Sequence, residues 1–343
     1  MKLVLDKFGL SLRRRGNRLE VRDRDVKREF PIHEIDEIHL MNPAISVSVS
    51  SLRLALKNNI MVVLARRNGW PIGFIVPSKL SGTVRGKREQ YRSYYDGRGV
   101  YLAKAFAAGK VANQSRLLNI LGKSYSRTKP DLGAEIMKNA DEIHSISFEI
   151  MDQDSDSLDN IRIKLMKLEA DAAKIYWGAI SLLIPQDLGF PGRRTRGADD
   201  PVNAMLNYGY KAMLFVEVWK SVYYAGLDPY AGFLHSDRSG RPSLVLDLME
   251  EFRQQSVDRP VFTLLSRREI TRENVMEEVD GKLQLSKVAV RKLTEAITNQ
   301  LECGVIYEGS KRPLKNVILM QARNVSRYLL RELKSYKPFK IYW

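Results

Sequence analysis

The spacing of apolar residues along the chain changes near residue 78. Before that point, apolar and polar residues mostly alternate, which is the period of a strand with one buried face. This pattern predicts strands over residues 2–6, 10–14, 18–22, 34–40, 60–65 and 71–76. Residues 51–57 have helical spacing and predict one helix among these strands.

Two turns join neighbouring strands of this region. Gly16-Asn17 lies between the second and third predicted strands, and Asn68-Gly69 lies between the last two. An Asn-Gly pair favours a tight hairpin, because both turn residues adopt positive φ. We therefore predict that residues 1–77 form a small antiparallel β domain.

Residues 78–86 are rich in turn formers and poor in apolar residues, so we predict a linker there. Beyond it the apolar period becomes about 3.6, which is typical of helices with one buried face. Helices are predicted over residues 101–121, 134–151, 158–183, 201–225, 244–254, 285–301 and 314–333. Residues 87–335 are thus expected to form a second, almost wholly helical domain, followed by a tail over residues 336–343, and the fold class is α+β.

The start of one of these helices has a specific signal. Asp200 precedes Pro201 directly. An aspartate at the N-cap accepts hydrogen bonds from free backbone N–H groups, and a proline in the first turn lacks a donor that would have no partner. We therefore place the helix start at this pair.

The composition adds an electrostatic argument. The chain has 56 Lys and Arg residues against 40 Asp and Glu residues, a formal net charge of +16. Such an excess favours a polyanionic partner, because each neutralised phosphate releases counterions. A basic protein without such a partner is the alternative. An anionic membrane surface is another, although no dense basic block adjoins an amphipathic anchor.

The lone cysteine, Cys303, can form neither an internal disulfide nor a metal site built from cysteines, which fits a reducing cytoplasm. The first residues carry charge, so no signal peptide is expected. No apolar run approaches the ~20 residues of a membrane span. We expect a cytoplasmic protein without a membrane segment.

Candidate chemistry first appears in the helix predicted over residues 158–183. Its apolar residues share one face: Ile161, Leu165, Leu168, Ala172, Ile175, Tyr176 and Ala179. Glu169 falls inside this arc, whereas Arg162 and most other charged residues lie outside it. A carboxylate in an apolar arc must find a cation or become protonated. An internal salt bridge, a side chain that reaches solvent and a bound metal ion all remain open.

Two further segments carry groups that bind metals. His235 lies in a loop punctuated by glycine and proline, although a lone loop histidine is more often a surface residue. Asp247, Glu250 and Glu251 follow on one face of the next predicted helix, either as a solvated acidic face or as a site where a cation relieves their repulsion. Carboxylates suit Mg²⁺ or Mn²⁺, and an imidazole favours Mn²⁺ or another transition ion.

Four motifs occur in a fixed order along the second domain. They are Glu169…Ala173…Tyr176-Trp177, Asp200-Pro201-Val-Asn203, Gly226-Leu-Asp228-Pro229-Tyr230…His235 and Leu246-Asp247-Leu-Met-Glu250-Glu251-Phe252-Arg253. Together they resemble the conserved spine of the CRISPR spacer-acquisition (adaptation) endonuclease/integrase family, the nuclease common to most CRISPR systems. Ile35-Asp-Glu-Ile-His-Leu resembles the β domain of the same family, so the resemblance reaches from there to about Leu333.

The resemblance implies a fold and a set of site residues. It implies an N-terminal β-sandwich-like domain, which we expect to mediate dimerisation, and a larger all-α catalytic domain. The family's metal ligands correspond to Glu169, His235 and Glu250, and a further acidic residue of the family motif corresponds to Asp247. The expected cofactor is Mg²⁺ or Mn²⁺.

The resemblance also implies an activity and partners. We expect a metal-dependent DNA endonuclease/integrase of CRISPR adaptive immunity, active in the prokaryotic cytoplasm. It would join short foreign DNA fragments (spacers) into the CRISPR array by attack of a 3′-hydroxyl on a phosphodiester, and it would also cleave branched double-stranded DNA. The expected assembly is a homodimer that works with a small ferredoxin-fold CRISPR adaptation protein.

Arginines in two segments are candidates for DNA contact. Arg193, Arg194 and Arg196 lie in a long loop rich in glycine, and Arg66 lies beside the Asn68-Gly69 turn. The planar guanidinium group suits phosphate oxygens. A solubilising surface is the alternative for these residues, and it is the interpretation we adopt for residues 13–15.

Two other functions remain open at this point. The chain could be a basic DNA-binding or architectural protein with a vestigial acidic site, which would bind DNA with a strong salt dependence and ignore metal removal. It could also be a transposon-borne integrase built on the same catalytic domain, which genomic neighbours would distinguish.

Overall fold

The computed structural model describes residues 1–24, 26–78, 83–195, 200–279 and 281–341. The chain forms two compact units, Met1–Ser81 and Gly82–Trp343. A helix begins at Thr83, so residues 83–86 of the predicted linker are helical, and residues 79–82 lie outside the described part. Gly86, a presumed turn former, is buried in this helix, because tertiary packing overrides its weak local preference.

The first unit consists of short strands and one helix. In chain order they are β1 (Lys2–Leu5), β2 (Ser11–Arg15), β3 (Arg18–Arg22), β4 (Lys27–Pro31), β5 (Glu37–Leu40), β6 (Ser46–Val47), α1 (Val49–Lys57), β7 (Met61–Ala65) and β8 (Pro71–Ile75). A 3-10 turn, Ile32–Glu34, precedes β5. The strand β4 was not predicted, since its sequence lacks a clear alternation.

These strands form two sheets, with the orders β1-β5-β7-β8 and β4-β3-β2-β6. Both predicted hairpins form: β2 pairs antiparallel with β3, and β7 pairs antiparallel with β8. Of the turn residues only Gly16 and Gly69 have positive φ, so the expected turn with positive φ at both residues is wrong. The prediction of a purely antiparallel domain is wrong, because β1–β5, β5–β7 and β2–β6 are parallel pairs. The chain passes through α1 between β5 and β7, and such a helical crossover brings the next strand back in the same direction.

One hydrophobic core serves both sheets of the first unit. Leu5, Ile38 and Val62 contribute from one sheet, and Leu12 and Leu19 contribute from the other; all five are fully buried. Alternate residues of each strand therefore face this core, as the period of two predicts. The β region followed by a larger helical region agrees with the predicted fold class.

The second unit is mostly helical. Its helices are α2 (Thr83–Arg92), α3 (Gly97–Tyr125), α4 (Pro130–Asp152), α5 (Leu158–Ser181), α6 (Pro201–Tyr208), α7 (Phe215–Tyr224), α8 (Ser243–Met249), α9 (Arg259–Ser266), α10 (Arg272–Val275), α11 (Lys287–Glu302) and α12 (Leu314–Leu329). The sequence did not predict α2, α9 or α10. Asp200 caps α6 by accepting from the backbone N–H of Asn203 at 2.9 Å, which confirms the predicted start.

Two small antiparallel hairpins interrupt this helical unit, which the sequence had suggested to be almost wholly helical. They are β9 (Met276–Val279) with β10 (Lys282–Leu285), and β11 (Gly304–Tyr307) with β12 (Ser310–Pro313). Each hairpin lies between helices, and its strands are too short to show a reliable apolar period.

Two π-helical segments shift the register of helices in the second unit. Gly209–Leu214 links α6 to α7, and Gln254–Asp258 precedes α9. Helix α8 ends at Met249, so it is shorter than the helix predicted over residues 244–254. Turns with hydrogen bonds between residues three apart follow it. A π turn widens the helix by one residue, so side chains on either side lose their regular spacing.

The C-terminal segment belongs to the core of the second unit, whereas the sequence suggested a separate tail. Tyr336, Phe339 and Ile341 are buried. The ring of Phe339 stacks on that of Phe252 at 5.0 Å between centroids, and the Tyr336 ring packs edge-on against Phe106. Its aromatic residues are too few and too irregularly spaced to reveal a partner from the sequence. Among the described residues, none of the helices is both long enough and apolar enough to cross a membrane.

Candidate functional site

Helix α5 presents Glu169 at the edge of its buried face. Leu165, Ala172 and Tyr176 are fully buried, as the predicted apolar arc requires. Ser157 caps the start of the helix, because its side chain accepts from the backbone N–H of Asn160. The Glu169 side chain retains 14% exposure, so it lies at the border between the core and the open side of the site.

Arg162, on the same helix, is buried, although the sequence pattern placed it outside the apolar arc. Its Nε donates to the carbonyl of Phe233 at 2.7 Å, and an Nη donates to the carbonyl of His235 at 3.3 Å. The loop that contains His235 covers this side of α5, which periodicity within one helix cannot reveal. Arg162 therefore anchors the backbone of the histidine loop to α5.

Asp247 holds the same loop from the opposite side. It is fully buried on α8, and its carboxylate accepts from the backbone N–H groups of Phe233 at 2.6 Å, Leu234 at 3.0 Å and His235 at 2.8 Å. Gly232 precedes these residues and lies against Asp247, since a Cβ there would be 2.9 Å from its Oδ2. Asp247 thus acts on the site through the loop and the imidazole.

The two nitrogens of the His235 imidazole face different carboxylates. Its Nδ1 lies 2.7 Å from Oδ1 of Asp247, and its Nε2 lies 3.9 Å from Oε1 of Glu250. Because the Asp247 carboxylate acts as an acceptor, Nδ1 donates and carries the proton of the neutral ring. Nε2 then keeps its lone pair, which is the arrangement of a metal-binding histidine.

Glu250 is buried just after α8 and is paired with two basic side chains. Arg253 contacts its Oε1 at 2.9 Å, and the Lys110 ammonium lies 3.0 Å from its Oε2. Burial alone would raise the pKa of Glu250, but the charges of Arg253 and Lys110 outweigh it and lower the pKa to about 2. Glu250 is therefore an ionised carboxylate at neutral pH.

Lys110 joins the two glutamates. It lies on α3, and its Nζ is 3.1 Å from Oε1 of Glu169 as well as 3.0 Å from Glu250. Burial acts to lower the pKa of Lys110, but the two carboxylates raise it overall, so the side chain is a cation. The sequence contains a signal for it: Lys110 is the one charged residue between Lys104 and Arg116 on α3.

The interpretation of Asp247, Glu250 and Glu251 as one solvated acidic face is wrong, because all three are buried. Other elements pack around α8 on every side, and the three carboxylates diverge to separate partners. Glu251 faces the C-terminal segment, where it accepts from the Tyr336 hydroxyl at 2.5 Å and from the backbone N–H of Phe339 at 2.7 Å. Burial raises its pKa to about 7, although these hydrogen bonds oppose the shift.

The predicted ligands Glu169, His235 and Glu250 thus converge from three distant segments. Within the described ranges, no three His, Cys, Asp or Glu side chains are already arranged around a common point as metal ligands. The residues nevertheless fit a divalent ion. Oε2 of Glu250 is buried, and the Lys110 ammonium at 3.0 Å is its neighbouring charge. Two carboxylates and a free imidazole nitrogen are the donors that Mn²⁺ accepts and that Mg²⁺ accepts in part.

The predicted DNA-contacting arginines have different surroundings. Arg193 is half-buried and donates to the side-chain oxygens of Asn203 and Asn207, both at 2.8 Å. Arg194 is exposed, and Arg66 is exposed at the hairpin turn of the first unit. Arg196 lies outside the described residues. Arg194 and Arg66 are therefore available to a ligand, whereas Arg193 is already held by its own chain.

A buried polar network, which the sequence did not suggest, lies behind the site. Asp258 accepts from the hydroxyls of Tyr176 and Tyr210. The guanidinium groups of Arg253 and Arg193 lie over the Tyr210 ring at 4.6 Å and 5.4 Å from its centroid. Burial raises the pKa of Asp258 to about 6. Arg253 is thus fixed between Glu250 on one side and Tyr210 on the other.

Comparison with known proteins adds an independent observation. A family model described as CRISPR associated protein Cas1 matches residues 3–299. The chain is also similar to a CRISPR-associated endonuclease Cas1 of Archaeoglobus fulgidus, with 39% identity over 350 residues that cover the whole of both chains.

Solved structures share the fold. A casposase bound to its integration product has a TM-score of 0.79 and 24% identity, covering 98% of this chain and 92% of that one. A Cas6-RT-Cas1–Cas2 complex has a TM-score of 0.76 and 17% identity, covering 99% of this chain and 36% of that one. At these identities the likeness concerns the fold alone.

Proposed function

Because this chain belongs to the Cas1 family of CRISPR-associated proteins, we propose that it is a divalent-metal-dependent DNA endonuclease and integrase. The observation that carries the proposal is the convergence of Glu169, His235 and Glu250. These residues come from three distant segments: Lys110 pairs with Oε1 of Glu169 and with the buried Oε2 of Glu250, and Nε2 of His235 lies 3.9 Å from Oε1 of Glu250.

Glu169, Glu250 and Nε2 of His235 are the groups that would hold Mg²⁺ or Mn²⁺. When bound, such an ion polarises a phosphodiester and lowers the pKa of an attacking hydroxyl. The protein's own residues supply the conditions for this chemistry. Glu250 is ionised, and Asp247 orients the imidazole so that its free nitrogen faces the carboxylates.

The reaction we propose is strand joining, in which a 3′-hydroxyl of a short DNA fragment attacks a phosphodiester of the CRISPR array. A new bond forms from the fragment's 3′-oxygen to phosphorus as the bond to the array strand's own 3′-oxygen breaks, and that oxygen leaves as a 3′-hydroxyl. Cleavage of branched double-stranded DNA is the same chemistry with water as the nucleophile. The net charge of +16 supports a polyanionic substrate. Arg194 and Arg66 are the exposed candidates for phosphate contact, and they act without base selectivity.

We further propose an assembly. The name of one structural neighbour pairs Cas1 with Cas2, which supports a second CRISPR adaptation protein as partner. By the resemblance noted above, that partner is small and has a ferredoxin fold, the chain dimerises through residues 1–77, and the complex works in the prokaryotic cytoplasm.

The decisive test removes single ligands. Glu169→Gln and His235→Ala are expected to lower Mn²⁺-dependent strand joining and branched-DNA cleavage by more than about 100-fold. The reason is that removing even a group that only supports a metal ligand typically costs up to about 100-fold in metal affinity or activity. DNA binding should persist. Asp171→Asn, an exposed acid on the same helix, is the matched control and should retain wild-type rates. Wild-type rates in both ligand variants would refute the site.

The two competing functions give different results in the same assays. An architectural DNA-binding protein would bind DNA equally well with EDTA and would not cleave with Mn²⁺ in any variant. A transposon-borne integrase would join fragments to target DNA without preference for CRISPR repeats. The full-length relative at 39% identity is a CRISPR-associated protein, so we expect preference for the repeat.

A further inference from the structure

Lys110 occupies the place where the two candidate glutamate ligands face each other. It stands in the middle of α3, next to the buried Val111, and its side chain retains 21% exposure. Its ammonium donates to Oε1 of Glu169 and lies 3.0 Å from Oε2 of Glu250. A single flexible cation therefore neutralises both carboxylates from the inner side of the site.

The oxygens of Glu250 are divided between two cations that differ in freedom of movement. Arg253 contacts Oε1, and it is held in place by the Tyr210 ring that lies against its guanidinium group. Lys110 pairs with Oε2 at 3.0 Å and has no aromatic ring against its ammonium among the described contacts. Lys110 carries a compact ammonium on a flexible four-carbon stem, whereas the guanidinium of Arg253 is also restrained by the Tyr210 ring. Of the two cations, Lys110 is the one that can leave.

We propose that Lys110 is a tethered counter-ion that exchanges with the divalent metal for the carboxylates of Glu169 and Glu250. The inference rests on the proposed metal site and adds a residue to it. Before the metal binds, the ammonium pairs with the buried carboxylate of Glu250 and the partly buried carboxylate of Glu169, since unpaired buried charges are costly. When the metal binds, Lys110 withdraws, and the carboxylates and Nε2 of His235 close around the ion. Lys110 is therefore a positioning residue that lowers metal affinity and stabilises the metal-free protein.

The exchange explains why the candidate ligands converge without already forming a metal shell. Glu169 and Glu250 each direct an oxygen to the ammonium, and Nε2 of His235 faces the Arg253-bound oxygen of Glu250 at 3.9 Å. A hydrated divalent ion and the ammonium cannot both occupy the space between two oxygens that lie about 3 Å from one nitrogen. Ion binding must therefore move Lys110.

The test measures Mn²⁺ affinity by isothermal titration calorimetry in the full-length protein. Lys110→Met removes the competing cation, and we expect its Kd for Mn²⁺ to fall at least about tenfold, which corresponds to ~1.4 kcal/mol. In EDTA its melting temperature should be lower than that of the wild type, and saturating Mn²⁺ should close this gap. Lys104→Met is the matched control, because Lys104 lies on the same helix but donates to the carbonyl of Gln153.

A second variant tests the proposal if the Lys110→Met protein folds only when Mn²⁺ is present. Lys110→Gln is neutral, has a shorter side chain and can still donate to a carboxylate, so it should fold in EDTA and bind Mn²⁺ more tightly than the wild type. Equal or weaker Mn²⁺ binding in the Lys110 variants, with normal binding in the wild type, would overturn the exchange alone. Absence of Mn²⁺ binding in the wild type as well would overturn the proposed metal site.

Discussion

Replacing Asp247 with asparagine exchanges one carboxylate oxygen for an amide nitrogen and tests how the histidine is oriented. The carboxylate accepts four hydrogen bonds: Oδ2 accepts from the backbone of Phe233 and Leu234, and Oδ1 accepts from the backbone and Nδ1 of His235. An asparagine can accept on one side only. Its amide nitrogen would then face either the two His235 donors or the two backbone donors of the preceding residues.

The expected loss of stability follows from these contacts. A hydrogen bond to a charged group contributes ~1.5–3 kcal/mol net, so losing two of them costs about 3–6 kcal/mol. Asp247 is fully buried, so water cannot replace the missing partners. If the amide nitrogen faces His235, Nδ1 must become an acceptor, and the proton moves to Nε2. The nitrogen that faces Glu250 then can no longer bind a metal ion.

We would measure the free energy of unfolding in urea and Mn²⁺-dependent strand joining for Asp247→Asn. Asp237→Asn is the control, because Asp237 is exposed on the same loop. We expect Asp247→Asn to lose several kcal/mol and most of its activity, and Asp237→Asn to lose little of either. A stable and fully active Asp247→Asn protein would contradict the role assigned to this carboxylate.

Three further predictions concern the parts around the site. Removing residues 336–343 should destabilise the protein by ~4 kcal/mol or more in urea unfolding, because the burial of two aromatic side chains is lost; unchanged unfolding would show that the segment is not part of the core. Burial raises the pKa of Glu251 from 4.5 to about 7, so the folded protein holds a proton that the unfolded chain releases. The stability that this group contributes is full below pH 4.5 and declines by about 3 kcal/mol as pH rises through 7. In Glu251→Gln the free energy of unfolding should change less with pH over this range. A dependence as steep as that of the wild type would contradict the raised pKa of Glu251. Arg194→Ala should weaken DNA binding and reduce the salt dependence of the affinity by about one charge. Arg193→Ala should mainly lower the melting temperature, because Arg193 is bound to Asn203. If a salt titration of DNA affinity instead showed the loss of one charge for Arg193→Ala and none for Arg194→Ala, these roles would be refuted.

Local patterns in the sequence determined the main division of the fold. The apolar period changes from two to about 3.6 near the point where the two units separate, and hairpins form at Gly16-Asn17 and Asn68-Gly69, although only the glycine of each pair has positive φ. Periodicity reports on neighbours within about four residues, so it identifies strands, helices and their buried faces. It also marked Glu169 as a charge within an apolar face.

The directions of the strands and the partners of the charged groups were decided only by the tertiary structure. Lys110 and Glu250 are separated by 140 positions in the sequence, yet they form an ion pair. Asp247, Glu250 and Glu251 appeared solvated because one helix contains no information about the elements that surround it. The resemblance to a known family indicated which ligands belong together.

The sequence by itself therefore determined the elements and, through the resemblance, the likeness to a CRISPR nuclease. The packing of distant segments determined how the site is held. It buried Asp247 beneath the histidine loop, it fixed Arg253 between Glu250 and Tyr210, and it placed the C-terminal segment against Glu251. The physical reason is that an element's own residues set its periodicity, whereas burial and charge pairing depend on which other segments cover it.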